Sequence, residues 1–206
     1  MKKLAIIGAG GHGKVVADCA GLLAWGSISF FDAAWKDKLS DPRWPLLGDT
    51  STFIEKSTEY DGVIIAIGNC EIRWKEYFKI KSSAILITSL IHPSSFVSQY
   101  SKIGEGTVIL AGSVVNTDAM IGDACIINVG ATVDHDCVLG DSVHVAPGAH
   151  ISGGVAIGDG SWIGVGAAIK QGINIGKNVM VGAGAVVISD VPDNVTIVGN
   201  PARNVK

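Results

Sequence analysis

From Ile91 to Val187 every sixth residue is aliphatic, an unbroken series of seventeen positions that includes Ile103, Ile127, Leu139, Ile163 and Val181. Four residues after each stands a second column of mostly small residues, such as Ser101, Ser113, Cys125, Ala131 and Ala149, in which only Ile173 exceeds valine in size. A fixed period of this kind decides the architecture before any local propensity does. A six-residue unit with one large and one small inward side chain makes a short strand and a turn, and three units close a triangular coil of 18 residues. Stacked coils hydrogen-bond at the strand spacing of about 4.8 Å, and each buries its faces only against its neighbours. Glycine often follows the aliphatic residue, as in Ile121-Gly122 and Ile157-Gly158, which implies unusual backbone angles or close backbone approach there. No insertion interrupts the hexads from about residue 91 to 192, so a smooth prism is expected. The period alone leaves its hand open, because the usual rule for parallel crossovers favours the right-handed form.

Almost half of the 206 residues are hydrophobic. The longest apolar run, Ala84 to Ile91, is nevertheless far below the ~18 residues of a membrane span. The opening Met1-Lys2-Lys3 and Leu4 to Ile7 has the look of a leader, but Gly8 to Lys14 breaks it, so it reads as a buried first strand and a cytoplasmic protein is expected. A formal charge of -3 argues against a nucleic-acid partner, which calls for a basic face. The four cysteines show no C-x-x-C spacing and read as reduced thiols. Cys125 and Cys137 fall in the small inward column, where burial is expected.

Residues 1–88 follow a different rule. Lys3 to Ile7 is a strand, Gly8 to Gly13 a glycine loop, and Lys14 to Leu23 has apolar residues at helical spacing. Ser27 to Phe31 and Asp61 to Ile67 read as further strands, Ala84 to Ile87 as a fourth, and Glu71 to Ile80 as a helix. Alternating strands and helices indicate a small parallel α/β domain, half of a doubly wound dinucleotide-binding unit, ahead of a β-helix domain over residues 89–206 with a short C-terminal tail. Gly8, Gly10 and Gly13 fit G-x-G-x-x-G, with Asp32 nineteen residues beyond Gly13. Such a loop lets a diphosphate approach the backbone at a helix N-terminus. A full NAD site needs more chain than 88 residues provide, so a phosphate-bearing nucleotide of another kind is the better fit. The glycine loop would take its diphosphate and Asp32 a base or ribose, with Gly68-Asn69 lining the same crevice. A plain strand-to-helix turn is the bland alternative.

The two halves in this order resemble the sialic acid O-acetyltransferase and UDP-bacillosamine N-acetyltransferase family of hexapeptide-repeat acyltransferases, which also includes GDP-perosamine N-acetyltransferases. The resemblance covers the whole chain. It is carried by Gly8-Ala9-Gly10-Gly11-His12-Gly13-Lys14, Phe30-Phe31-Asp32, Ala66 to Arg73, Asn128 to Asp136 and Gly199-Asn200-Pro201-Ala202-Arg203. It implies a left-handed parallel β-helix, a homotrimer with acetyl-CoA between adjacent β-helices, and a nucleotide-sugar on the small domain. It places a general base at His135 with Asp136 raising its basicity, and acetyl-CoA contacts at His144, Gly153, Val165 and Ala183. For the nucleotide-sugar it points to Gly10, Gly11, His12, Asp32 and Gly68, and it implies no metal. Ala33 departs from the second acid often found in bacillosamine-type members, which weakens the assignment to uridine.

The chemistry asks for little beyond those groups. An amine or hydroxyl must lose a proton while attacking a thioester, and a histidine near neutral pKa suits that task. A carboxylate on its other ring nitrogen fixes the tautomer, and a backbone N–H meets the developing oxyanion. Positions 135 and 153 differ by one 18-residue coil, so they should stack one strand spacing apart. Direct transfer follows if neither Cys125 nor Cys137 faces outward. The expected reaction is N-acetylation of a UDP-linked 4-amino-4,6-dideoxy sugar for surface glycans. O-acetylation of a sialic acid and N-acetylation of GDP-perosamine are the alternatives. A zinc hydratase built on His135, His144 and His150, and a non-catalytic nucleotide-sugar binder, are the readings from other classes. His92, His150 and the five tryptophans are expected to be structural.

Overall fold

The computed structural model describes residues 1–38, 41–83 and 85–205. The chain divides into two compact units, Met1–Pro93 and a second that begins at Ser94.

In the first unit, strands β1 (Lys3–Ile7), β2 (Ser27–Phe31) and β3 (Gly62–Ile65) form a parallel sheet in the order β2-β1-β3. All three are apolar and almost wholly buried, as a parallel sheet covered on both faces requires. Helix α1 (Gly11–Leu22) follows β1, α2 (Thr50–Glu55) precedes β3, and α3 (Cys70–Lys81) follows it. Helix α2 is capped by Asp49, which accepts Thr52 N–H at 2.8 Å, and α3 by Asn69, which accepts Ile72 N–H at 2.9 Å. These caps satisfy donors that a helix start leaves open. The fourth expected strand is a single parallel bridge between Ile87 and Val63; Ala84, where that strand was to begin, lies outside the described residues. With β3 beside β1 and not beside β2, the sheet reverses direction at β1, and a ligand crevice is expected beyond the strand ends there.

The second unit is a parallel β-helix of two-residue strands. One face runs from Phe96–Val97 to Val186–Val187 in six strands, a second from Lys102–Ile103 to Asn174–Ile175 in five, and a third from Val108–Ile109 through Met180–Val181 to Thr196–Val198. Partners are eighteen residues apart, as in Ile127↔Val145 and Val133↔Ile151. Aliphatic residues from Ile109 to Val187 line the interior with the small column, both nearly fully buried. Cys125 and Cys137 are completely buried among them.

The turns carry two different backbone demands. The residue three after each aliphatic is left-handed, from Gly106 (φ 69°) to Gly184 (φ 66°), with Asp118, Asp136 and Asn178 filling the same place at φ 53–59°. Glycine directly after the aliphatic serves close approach instead: a Cβ on Gly104 would stand 2.4 Å from the carbonyl of Gly122 in the next coil. The prism is also less regular than the period suggested. Val191 pairs with Ile175 and Ile197 with Val181, sixteen residues apart and not eighteen. The hexad after Val187 is shortened by two, which moves Val191 from the small column to the large one. The closing Gly199 to Arg203 segment turns the chain into an antiparallel pair with Thr196–Val198, gripped by Val186 through Gly199 O at 3.0 Å and Ala202 N–H at 2.8 Å.

Candidate active site

His135 stands in the turn joining the first face to the second. Its Nδ1 lies 2.7 Å from Asp136 Oδ2, and its backbone N–H donates to Asp134 Oδ1 at 2.8 Å. Asp136 holds the left-handed turn position (φ 58°), which aspartate tolerates better than most residues. The same backbone demand that closes the turn thus carries the carboxylate onto the imidazole. The side chains of both residues are more than half exposed. The Asp136 hydrogen bond, with the Asp134 charge behind it, raises the His135 pKa above its ordinary value of 6.5.

Gly153 lies one coil away, under the other edge of the ring. A Cβ built there would meet His135 Nε2 and Cε1 at 2.5 Å. The coils are tied at this point by Gly154 N–H to His135 O at 2.9 Å. Gly153 N–H makes no hydrogen bond to the described residues. A neutral imidazole that donates Nδ1–H to Asp136 presents a lone pair at Nε2, close to a backbone donor in need of an acceptor.

The other expected coenzyme residues sit elsewhere on the prism. Val165 and Ala183 occupy the turn joining the third face to the first, where Gly184 N–H donates to Val165 O at 2.8 Å. With Val129 and Pro147 they form an exposed apolar ridge at 18-residue spacing. His144 opens the third-face strand before that turn. It is buried, 4.0 Å from the Trp162 ring, with Nε2 3.1 Å from Asn128 Nδ2. His150 hydrogen-bonds Thr132 across one coil at 3.0 Å. No group of three or more His, Cys, Asp or Glu among the described residues is placed to hold a metal ion.

In the first unit the glycine loop leads from β1 into α1. Gly8 is left-handed (φ 108°), and a Cβ on Gly13 would stand 2.1 Å from Gly8 O, while Gly10 and Gly11 face open space. The loop's helix has no side-chain cap at Gly10, so its first N–H groups stay available to an anion. Asp32, at the end of β2, is committed within the protein. Its Oδ2 accepts Ala9 N–H at 2.8 Å and an ammonium hydrogen of Lys38, and its Oδ1 accepts Ala34 N–H at 2.9 Å. Burial pushes this carboxyl up, but Lys38 and the two N–H groups outweigh it and hold it below its usual range. A cavity of about 210 Å³ opens beyond the strand ends, lined by Gly8, Asp32, Thr50, Ile67, Ile72 and Glu76 among others. Thr50 Oγ1 donates to Glu76 Oε2 at 2.7 Å on its wall.

Sequence reasoning passed over two organisers of this crevice. Arg73, only 1% exposed, reaches back from α3 to donate to the carbonyls of Ile67 and Gly68 at 2.8 and 2.7 Å, which shapes the loop after β3. Lys38 pins Asp32 from the segment that follows β2. The helical position of Arg73 offered a weak signal and Lys38 none. His12 is held neutral: burial, then the Arg73 charge, lower its pKa to about 4. Gly68 accepts Arg73 at its carbonyl, and Asn69 caps α3.

A parallel β-helix of hexapeptide repeats, with an exposed His–Asp pair over a backbone donor, defines the class of hexapeptide-repeat acyltransferases. Residues 3–80 match the family model described as the PglD N-terminal domain. The acetyltransferase domain of PglB from Neisseria gonorrhoeae FA1090, solved in complex with acetyl coenzyme A, is 42% identical with a TM-score of 0.94, covering 99% of both chains. PerB from Caulobacter crescentus, solved with CoA and GDP-perosamine, is 36% identical with a TM-score of 0.94, covering 100% of this chain and 98% of that one. The UDP-N-acetylbacillosamine N-acetyltransferase of Bacillus subtilis (strain 168) is 38% identical over 114 residues, 54% of this chain and 52% of that relative. The chain thus aligns with about half the length of that curated relative. It belongs to the sialic acid O-acetyltransferase and UDP-bacillosamine N-acetyltransferase family. Among the described residues no helix is long and apolar enough to cross a membrane.

Proposed function

We propose that this chain is an acetyl-coenzyme A-dependent N-acetyltransferase acting on a nucleotide-linked amino sugar, a UDP-linked 4-amino-4,6-dideoxy sugar, in the cytoplasm. The observation that carries the reading is the His135 ring, fixed by Asp136 at Nδ1 and set with Nε2 over Gly153. The sugar amine attacks the thioester carbonyl carbon while His135 Nε2 takes its proton. Gly153 N–H stabilises the tetrahedral oxyanion, the C–S bond breaks, and the CoA thiolate leaves. The imidazolium then returns the proton to the thiolate. Transfer is direct, in keeping with the complete burial of Cys125 and Cys137. Burial also raises the Cys137 thiol above its ordinary pKa.

Acetyl-CoA as donor is supported by the complexes of the gonococcal and Caulobacter relatives. Nucleotide binding in the first unit is supported by the open N-terminus of α1 and by the crevice beside Asp32. His135 with Gly153, and Val165 with Ala183, occupy different turns of one prism. A groove that uses both sets draws on two copies, which supports a homotrimer with acetyl-CoA between neighbours. The test is thiol release from acetyl-CoA with UDP-amino sugar, GDP-amino sugar and free sialic acid offered in parallel. His135→Ala is expected to cut turnover by roughly 10²–10⁴ while acetyl-CoA binding persists. Near-normal turnover in that variant would remove His135 as the base.

A further inference from the structure

Asp134 takes no part in the steps above, yet its carboxylate is the best-anchored group of the turn. Its Oδ1 accepts the His135 backbone N–H and also Asn116 Nδ2, each at 2.8 Å. Asn116 stands eighteen residues earlier, on the coil before. The same neighbouring coil takes Asp136 N–H through Thr117 O at 3.2 Å, and the following coil holds His135 O through Gly154 N–H at 2.9 Å. The peptide after His135 is therefore tied to both neighbouring coils, and the one before it is held to the preceding coil through Asp134 and Asn116. With its side chain 56% exposed, the ring would otherwise sample several rotamers in water.

We infer that Asn116 and Asp134 form a positioning pair for His135, in which Asn116 orients the Asp134 carboxylate and the carboxylate fixes the backbone from which the imidazole is aimed. This rests on the reading of His135 as the base. The pair also has an electrostatic side. Asn116 and the His135 N–H hold Asp134 below its usual pKa range, so it stays ionised, and that fixed charge favours proton uptake by the neighbouring ring. Among the described residues the other charged group acting on the ring is Asp136 on its own turn. At the stacked positions the preceding coil carries Thr117 and Asp118 and the following coil Ser152, Gly153 and Gly154. Asp134→Asn keeps an acceptor oxygen and removes the charge; Asp134→Ala removes both; Asn116→Ala frees the carboxylate.

The experiment measures kcat, KM for acetyl-CoA, and the pH profile in the full chain for these three variants and His135→Ala. His135 imidazole titration is followed by NMR in the wild type and in the three Asn116 and Asp134 variants. Asp134→Ala and Asn116→Ala are expected to lower kcat by about tenfold or more with KM for acetyl-CoA unchanged, as misaimed groups do. Asp134→Asn should lose less and should move both the His135 titration and the acidic limb of kcat/KM downward. The pair is refuted if Asp134→Ala and Asn116→Ala keep the wild-type kcat. It is equally refuted if Asp134→Asn matches Asp134→Ala in loss while the His135 titration stays in place. The titration is read without turnover, so activity surviving in His135→Ala would overturn the base and leave the pair's effect on the ring separately measured.

Discussion

Gly153→Ala probes the proposed chemistry with a single methyl group. The added Cβ would stand 2.5 Å from His135 Nε2 and Cε1 and 3.1 Å from Cδ2. Non-bonded carbons rest at about 3.5 Å or more, so the ring must retreat by about 1 Å. Position 153 is not left-handed, so alanine fits its backbone, and the half-exposed ring can swing outward without disturbing the buried core. That swing strains the 2.7 Å bond to Asp136 and carries Nε2 away from the incoming amine. A misplacement near 1 Å costs on the order of 10²-fold, equal to about 2.7 kcal/mol of barrier. The expected result is a kcat lowered by about 10²-fold with the melting temperature shifted by less than about 3 °C. Thiol release under saturating acetyl-CoA measures the first and thermal unfolding the second. Turnover close to wild type would show that Nε2 does not work above Gly153. The backbone N–H survives the substitution, so a loss reports on the ring and not on the oxyanion donor.

Removing the Asp136 charge with Asp136→Asn takes away the main cause of the raised His135 pKa. Since the base works neutral, the acidic limb of kcat/KM should move to lower pH while the maximal rate falls, as a pH–rate series would show. His12 stays neutral in the fold down to about pH 4, whereas the unfolded chain takes up that proton near 6.5. Stability is therefore lost as pH falls from about 6.5 to 4, by at most about 3 kcal/mol from this group; His12→Asn should flatten that segment of a denaturant-midpoint-versus-pH curve. Ile127→Ala, at a fully buried position of the prism interior, should cost about 2–5 kcal/mol in denaturant unfolding.

The order of the fold could be read because a solenoid converts sequence distance directly into space. Once six residues make a side and eighteen a coil, inward columns and stacked neighbours follow by counting. That is how His135 and Gly153 could be paired from the sequence, and why the buried places of Cys125 and Cys137 were legible. The counting fails where the period does: nothing in Val187 to Val191 announces a hexad shortened by two, because valine suits either column.

The first unit has no such rule. Its strands, helices and glycine loop could be recognised from pattern, but the partners of Asp32, the reach of Arg73 to two carbonyls, and the Thr50–Glu76 contact join segments far apart in sequence. The sequence by itself thus determined the prism, its 18-residue coil and the stacking of His135 on Gly153. Only the tertiary structure decided that His144 lies buried against Trp162, that Asp32 is committed to Ala9 and Lys38, and that Asn116 anchors Asp134. A repeat specifies backbone spacing, whereas side-chain partners depend on rotamers, burial and competition among nearby polar groups, which no period encodes.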